Sequence, residues 1–420
     1  MPNIREDPVP YRVWGDDIED GARQQMHQAA QLPIAVRGAL MPDAHQGYGL
    51  PIGGVLATRE AVIPYAVGVD IACRMRLTVF DTPPHILEQK REKFRKIIEE
   101  STRFGIGAAT ELDNPPDHPV MDDPAFDELP VARGHKGTAW RQLGSSGGGN
   151  HFVEFGELLV NEAITGSADP TGEGSRAFGH VPPGRYLAFI SHSGSRGLGA
   201  TIADHYTKIA MDMHPDLPKS YKHLAWLDMN GIGAEYWAAM TLAGRYASAN
   251  HAIIHQNIID RLRLDVLGGV ENHHNYAWRE VFDDEEYIVH RKGSTPAGPG
   301  VYGVIPGSMT DAGHVVRGLG NAEALNSAAH GAGRRMSRGE AKRSLRWEQV
   351  EHKLKQARVE LMSAGLDEAP HVYKDLTEVM AAQQDLVVSV AKFQPRLVKM
   401  APDQRTRRSQ RGKAKKKKRK

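Results

Sequence analysis

With a single cysteine, Cys73, in 420 residues, the chain cannot form an internal disulfide, which suits a reducing compartment. Long apolar runs are missing as well. No stretch approaches the roughly 20 apolar residues of a membrane span, and the opening MPNIREDPVPYRVWGDD has charges and prolines where a signal peptide would be apolar. A soluble, cytoplasmic protein is the expectation. No G-x-x-x-x-G-K-[ST] occurs, which excludes an ordinary P-loop, and no G-x-G-x-x-G follows a strand pattern as a dinucleotide fold requires. Acidic residues are absent from 405–420, which holds 11 Lys or Arg; taking these from the overall +2 leaves −9 for the rest. Such a run repels itself and lacks apolar anchors, so a disordered tail able to displace counterions from nucleic-acid phosphates is expected.

Helical spacing of apolar residues is clearest at Ile86, Leu87, Phe94, Ile97 and Ile98, from Tyr236 to about Leu262, and from Glu340 to Leu361. Short β-rich runs, Arg76 to Phe80, Tyr186 to Ile190 and Tyr287 to His290, lie between glycine-rich loops, giving a mixed α+β class. The stretches 112–130 and 166–184 read as surface loops. Length alone admits two or three domains. The chemically interesting segments straddle every candidate boundary, however, so a single catalytic unit over residues 1–400 with a basic tail at 401–420 is expected.

Six segments join glycine to residues that bind metals or phosphates: MPDAHQGYGLPIGGV (41–55), VGVDIACRM (67–75), LGSSGGGNHFVEF (143–155), ISHSGSRGLG (190–199), ENHHNYA (271–277) and AAHGAGRRMSR (328–338). Clustered glycines suggest backbone that approaches a ligand closely or adopts positive φ. If Tyr65 to Val69 is a strand, a turn must begin at Asp70 for its carboxylate and the Cys73 thiolate to point at one centre. These two make a metal corner that His151, His192 and His274 are suited to complete. Each histidine alone is more often a hydrogen-bonded structural residue. His330 differs, because in His-Gly-Ala-Gly-Arg it lies beside backbone N–H groups and Arg334, a setting for nucleophilic attack on a phosphate. Phosphoryl or nucleotidyl chemistry follows.

Taken together, the six segments resemble the RtcB family of RNA ligases. Met-Pro-Asp-Ala-His-Gln-Gly, Gly-Gly-Gly-Asn-His-Phe, His-Ser-Gly-Ser-Arg-Gly and His-Gly-Ala-Gly-Arg occur in the family's order, and the match runs from Met41 to Lys399. The resemblance implies the family's mixed α+β catalytic fold and a GTP-dependent enzyme with two manganese ions. It joins RNA ends bearing a 3′-phosphate or 2′,3′-cyclic phosphate to 5′-hydroxyl ends, in RNA repair or tRNA splicing. It makes His330 the residue that takes GMP from GTP. Cys73 would bridge the two ions, with His151 and His192 completing one site and Asp70 and His274 the other. Asn150 would contact the nucleotide phosphate, as would the backbone at Gly331 and Gly333, while Phe152 and Glu154 would hold the guanine. Ser308, Tyr373 and Lys399 match further nucleotide contacts, and Asp43 matches a residue near the RNA ends.

Two departures stand out: Ala72 and Arg74 occupy positions where many members have glycine, and Met400 begins a 21-residue extension past the matched lysine. Arg74 could alter charge or access at the metals. Two other readings therefore use the same residues: a metal-dependent phosphatase or cyclic phosphodiesterase that has lost ligation, and an RNA-binding scaffold driven by the tail.

Overall fold

The computed structural model of the chain describes residues 4–105, 107–108, 116–166 and 175–402; the basic run 405–420 lies outside them. Alternating apolar positions form a ten-stranded sheet. Its order is Tyr302–Ile305, Gly313–Gly318, Val387–Met400, Phe152–Val160, Gly184–Ser193, Arg74–Phe80, Val266–His273, Arg176–Val181 and Ile164–Thr165, with Glu360–Ser363 added in parallel on Val387–Met400. The remaining pairings in this sheet are antiparallel.

Antiparallel order sets the start of one strand beside the end of its neighbour. In register, Phe152 pairs with His192, His192 with Met75, and Arg74 with His273. Cys73 and His151 immediately precede two of these strands, and His274 immediately follows a third. Residues more than 200 positions apart in sequence therefore share one sheet edge.

A second sheet, ordered Tyr11–Val13, Ala35–His45, Ile52–Thr58, Glu285–Lys292 and Tyr276–Phe282, carries Asp43 near the end of its second strand. The short antiparallel pair Ser294–Pro296 and Ser327–Ala329 then delivers His330. Packing holds these layers. The helix Ile232–Leu262 buries residues along its length from Tyr236 to Leu262 and contacts the helices Arg196–Met213 and Arg91–Ser101. Its buried face packs on the core while Arg245, Gln256, Asn257, Asp260 and Arg261 face outward. Phe94, Phe155 and Phe189 pack beside it with ring centroids 5.0 and 4.8 Å apart, each fully buried ring contributing about 1.5–3 kcal/mol.

Several elements differ from the sequence reading. Residues 65–69 are not a strand: Pro64–Val67 is a short helix, for which proline at the first turn is well suited. The turn at Asp70 does occur, and Ala72 takes φ +54° in it. The helical stretch 340–361 divides into Arg338–Ser344, capped by the Ser337 hydroxyl, and Trp347–Ala357, after which Leu361 lies in a strand. Within 112–130 the described part holds short helices with Phe126 fully buried, and within 166–184 it holds the strand Arg176–Val181. Pairing with the distant strand Val266–His273 decides the second.

Candidate active site

The sheet edge produces a knot of donor atoms. Cys73 Sγ lies 3.1 Å from His192 Nε2 and 3.5 Å from His151 Nε2, and His192 Nε2 lies 3.3 Å from His274 Nε2. Asp70 Oδ2 is 2.8 Å from His151 Nε2. Two groups whose ligand atoms lie within 4.8 Å of one another share the sulfur: Cys73, His192 and His274, and Asp70, Cys73 and His151. By distance alone His151 groups with Asp70 and His192 with His274, whereas the resemblance pairs His151 with His192 and Asp70 with His274.

Orientation of the rings is fixed from behind. His151 Nδ1 is 3.0 Å from the Ser146 carbonyl and His192 Nδ1 is 3.1 Å from that of Asn150, contacts that place the proton on Nδ1 and leave the Nε2 lone pair facing Cys73. Burial pushes His192 and His274 well below the ordinary imidazole range, so their rings are neutral. Burial, aided by Asp70, pushes the Cys73 thiol up. Burial also opposes ionisation of Asp70, yet His151 and Arg196 outweigh it and hold the carboxyl at about 2. Imidazole nitrogens, a carboxylate and a thiol converging in one cluster fit a divalent cation, which would stabilise the thiolate.

Next to this knot stands His330, its ring centroid 4.8 Å from that of His274. Asp43, fully buried, binds His330 Nδ1 at 2.7 Å and its backbone N–H at 3.2 Å. Nε2 is thereby left as the available nucleophilic nitrogen. The loop carrying it can approach because Gly333, at φ +74°, packs on Asp43; a Cβ there would sit 2.1 Å from the Asp43 carbonyl oxygen. Gly194 likewise makes room for the Asp70 carboxylate, which a Cβ would meet at 2.2 Å. These contacts explain two of the glycines in the sequence segments.

A cavity of about 860 Å³ opens over both features and is lined by Asp70, Cys73, His192, His274, His330, Gly331, Gly333, Asn150, Phe152, Glu154, Ser308 and Tyr373, all expected site residues. His151 and Asp43 stand directly behind this lining. Lys399 does not join it. Val398 and Met400 face the cavity, so alternation along the strand turns Lys399 to the other side, where Nζ donates to the Thr102 hydroxyl at 3.1 Å. Glu154 is raised to about 8 by burial. Tyr373 donates its hydroxyl to Glu368, which also pairs with Arg338, and the Arg334 guanidinium lies 5.4 Å from the Tyr373 ring centroid.

Arg74 proves remote from the donors' chemistry. It points to the opposite face of its strand, is 1% exposed, and pairs with Glu271 and the Gly244 carbonyl. Lys292, which lines the cavity, and Arg196, which stands behind it beside His151, were not singled out from the sequence. Lys292, lowered to about 7 by burial, reaches the Tyr48 carbonyl, and Arg196 sits 3.4 Å from His151 Nδ1. The basic His-Arg-Lys-Gly run could have signalled the first, whereas the second lay inside a quoted segment.

Soft donors for cations beside a carboxylate-held imidazole, over a nucleotide-sized cavity, define the class of phosphoryl- and nucleotidyl-transfer enzymes. Comparison with known proteins narrows it. A family model described as tRNA-splicing ligase RtcB matches residues 25–400. The chain is 32% identical to the RNA-splicing ligase RtcB of Escherichia coli K12, with 90% of this chain and 94% of the relative covered. It is 29% identical to the tRNA-splicing ligase RtcB of Thermococcus kodakarensis, with 92% and 94% covered. The chain belongs to the RtcB family of RNA ligases. Among its described residues no helix is long and apolar enough to cross a membrane.

Proposed function

We propose that this ligase joins RNA 3′-phosphate or 2′,3′-cyclic phosphate ends to 5′-hydroxyl ends, using GTP and two manganese ions, with residues 1–400 acting as one catalytic domain in the cytoplasm. The observation that carries this reading is His330, held through Nδ1 by Asp43 with Nε2 free, beside donors that share Cys73.

In this reading His330 Nε2 attacks the α-phosphate of GTP; an N–P bond forms and pyrophosphate leaves. An oxygen of the RNA 3′-phosphate next displaces the imidazole, giving an RNA(3′)pp(5′)G end. That step converts a phosphate with no good leaving group into an activated one. The RNA 5′-hydroxyl, losing its proton, then attacks the activated phosphorus and GMP departs. Asp43 keeps the imidazole in the reactive tautomer beside the RNA ends. Asn150 and the Gly331–Gly333 backbone bind the nucleotide phosphate, Phe152 and Glu154 the base, and Ser308 and Tyr373 complete the pocket. Lys399 reaches the nucleotide only after leaving Thr102.

Asp70, Cys73, His151, His192 and His274 would hold the cations, which neutralise crowded phosphates and orient attacking oxygens. Manganese is named from the family resemblance, because thiolate and imidazole donors bind zinc or cobalt at least as tightly. The hydrolase-only reading loses its motive, since Arg74 is neutralised on the far face of the strand. Incubation with α-labelled GTP and manganese tests the proposal: wild-type protein should retain label that His330→Ala abolishes. Unlabelled wild type that still opens cyclic phosphates would favour hydrolysis alone. Broken tRNA or a spliced transcript, offered with GTP or with ATP, would then define the RNA and nucleotide preference.

A further inference from the structure

The cavity mouth carries aromatic side chains that neither the cation donors nor the nucleotide pocket uses. Tyr48 lines the cavity, yet it is 65% exposed. Its loop is pinned in place: buried Lys292 donates to the Tyr48 carbonyl, and at Gly49, φ +68°, a Cβ would lie 2.6 Å from the His223 carbonyl oxygen. Behind the Tyr48 ring stand Tyr65, edge-on with centroids 6.3 Å apart, and His223 at 5.5 Å; those two are 4.8 Å from each other. The ring is thus supported on one side and open to solvent on the other.

Lysines lie near this cluster, and the Asp204 carboxylate also acts on Tyr65. Buried Lys292 places Nζ 4.9 Å from the Tyr65 ring centroid and braces the cluster from behind, while exposed Lys219 and Lys222, in the turn Lys219–Leu224 that carries His223, are the cations open to a strand. Aromatic faces interleaved with positive charge are what single-stranded nucleic acid requires, a base for each face and a phosphate for each cation. One open ring is far smaller than the several hundred Å² of apolar surface that a protein partner would cover.

We propose that Tyr48, backed by Tyr65 and His223, is a stacking subsite for an unpaired nucleobase of the RNA strand entering the reaction centre. The inference rests on the RNA-joining reading above and adds a contact that grips the strand without selecting its sequence, because every base offers a π-face. It also implies that the last nucleotides before the break must be unpaired for tight binding.

The test is fluorescence anisotropy at fixed salt with short labelled single-stranded RNAs, one ending in a 5′-hydroxyl and one in a 3′-phosphate. Proteins are wild type, Tyr48→Ala and Tyr48→Phe. Each RNA is also made with its three terminal nucleotides abasic. For at least one of the two ends, Tyr48→Ala should weaken binding about tenfold, within the range for loss of one base–aromatic stack, and Tyr48→Phe should bind like wild type. The abasic RNA should weaken wild type by a similar factor and Tyr48→Ala no further. Wild-type affinity in Tyr48→Ala at both ends overturns the proposal, as does a variant loss that multiplies with the abasic loss. Because the readout is binding, it is independent of labelling by GTP, so either conclusion can fail alone.

Discussion

Removing the charge of Glu271 should destabilise the protein by about 3 kcal/mol, a figure reached by two routes. Glu271 is completely buried between strands and accepts from Arg74, from Arg76 at 3.2 Å and from Ser248 at 2.9 Å. Burial opposes its charge, but Arg74, Arg76 and His251 outweigh burial and bring the carboxyl from 4.5 to about 2. At about 1.4 kcal/mol per pH unit this favours the ionised native state by about 3 kcal/mol. Independently, breaking a buried ion pair by neutralising one partner costs about 3–5 kcal/mol, because the other charge stays buried.

The sign follows from the depressed value. This stability is fully present above about pH 4.5 and is lost as the pH falls toward 2. Urea titrations at pH 7 should give Glu271→Gln a lower midpoint at similar slope, whereas near pH 2 the variant and wild type should converge. Replacing both partners, Glu271→Gln with Arg74→Met, should recover much of the loss. The pair joins the strands that present Cys73 and His274, so Glu271→Gln should also weaken divalent-cation binding. A variant within about 0.5 kcal/mol of wild type at pH 7 would refute the account of both the pair and its carboxyl.

Asp43→Asn should slow labelling by GTP about a hundredfold or more with folding intact, since an amide no longer fixes the His330 tautomer or stabilises its positive charge; single-turnover labelling measures it. Ala72→Gly, at φ +54°, should be neutral or stabilising by up to about 1 kcal/mol in thermal melts, the reverse of the usual Ala→Gly cost. Cys73→Ser should leave the fold in place but remove the thiolate-to-metal absorption band seen on titration with cobalt(II), if the sulfur is a ligand. Deleting 405–420 should weaken RNA binding at low salt and flatten its salt dependence while joining persists.

Local signals made much of this protein legible. The helix ending at Leu262 and the strands around Leu77, Ile190 and Val289 follow from apolar periodicity, and the glycine-rich segments announced a site before any coordinates. The glycines that let Gly333 and Gly194 crowd Asp43 and Asp70 were visible as a pattern, though not as contacts. The strand at Arg176 was missed because its pairing with Val266–His273 outweighs local preference, and the break between the helices at Leu345 was missed as well.

Sequence by itself determined the inventory: one thiol, the histidines and carboxylates able to bind cations, a histidine among glycines, and the class of chemistry they permit. Tertiary structure decided which of them meet. Antiparallel register brings Cys73, His151, His192 and His274 to one edge, and strand alternation sends Arg74 and Lys399 away from it. Period-two geometry and pairing partners are properties of the assembled sheet, so no spacing rule along the chain could have supplied them.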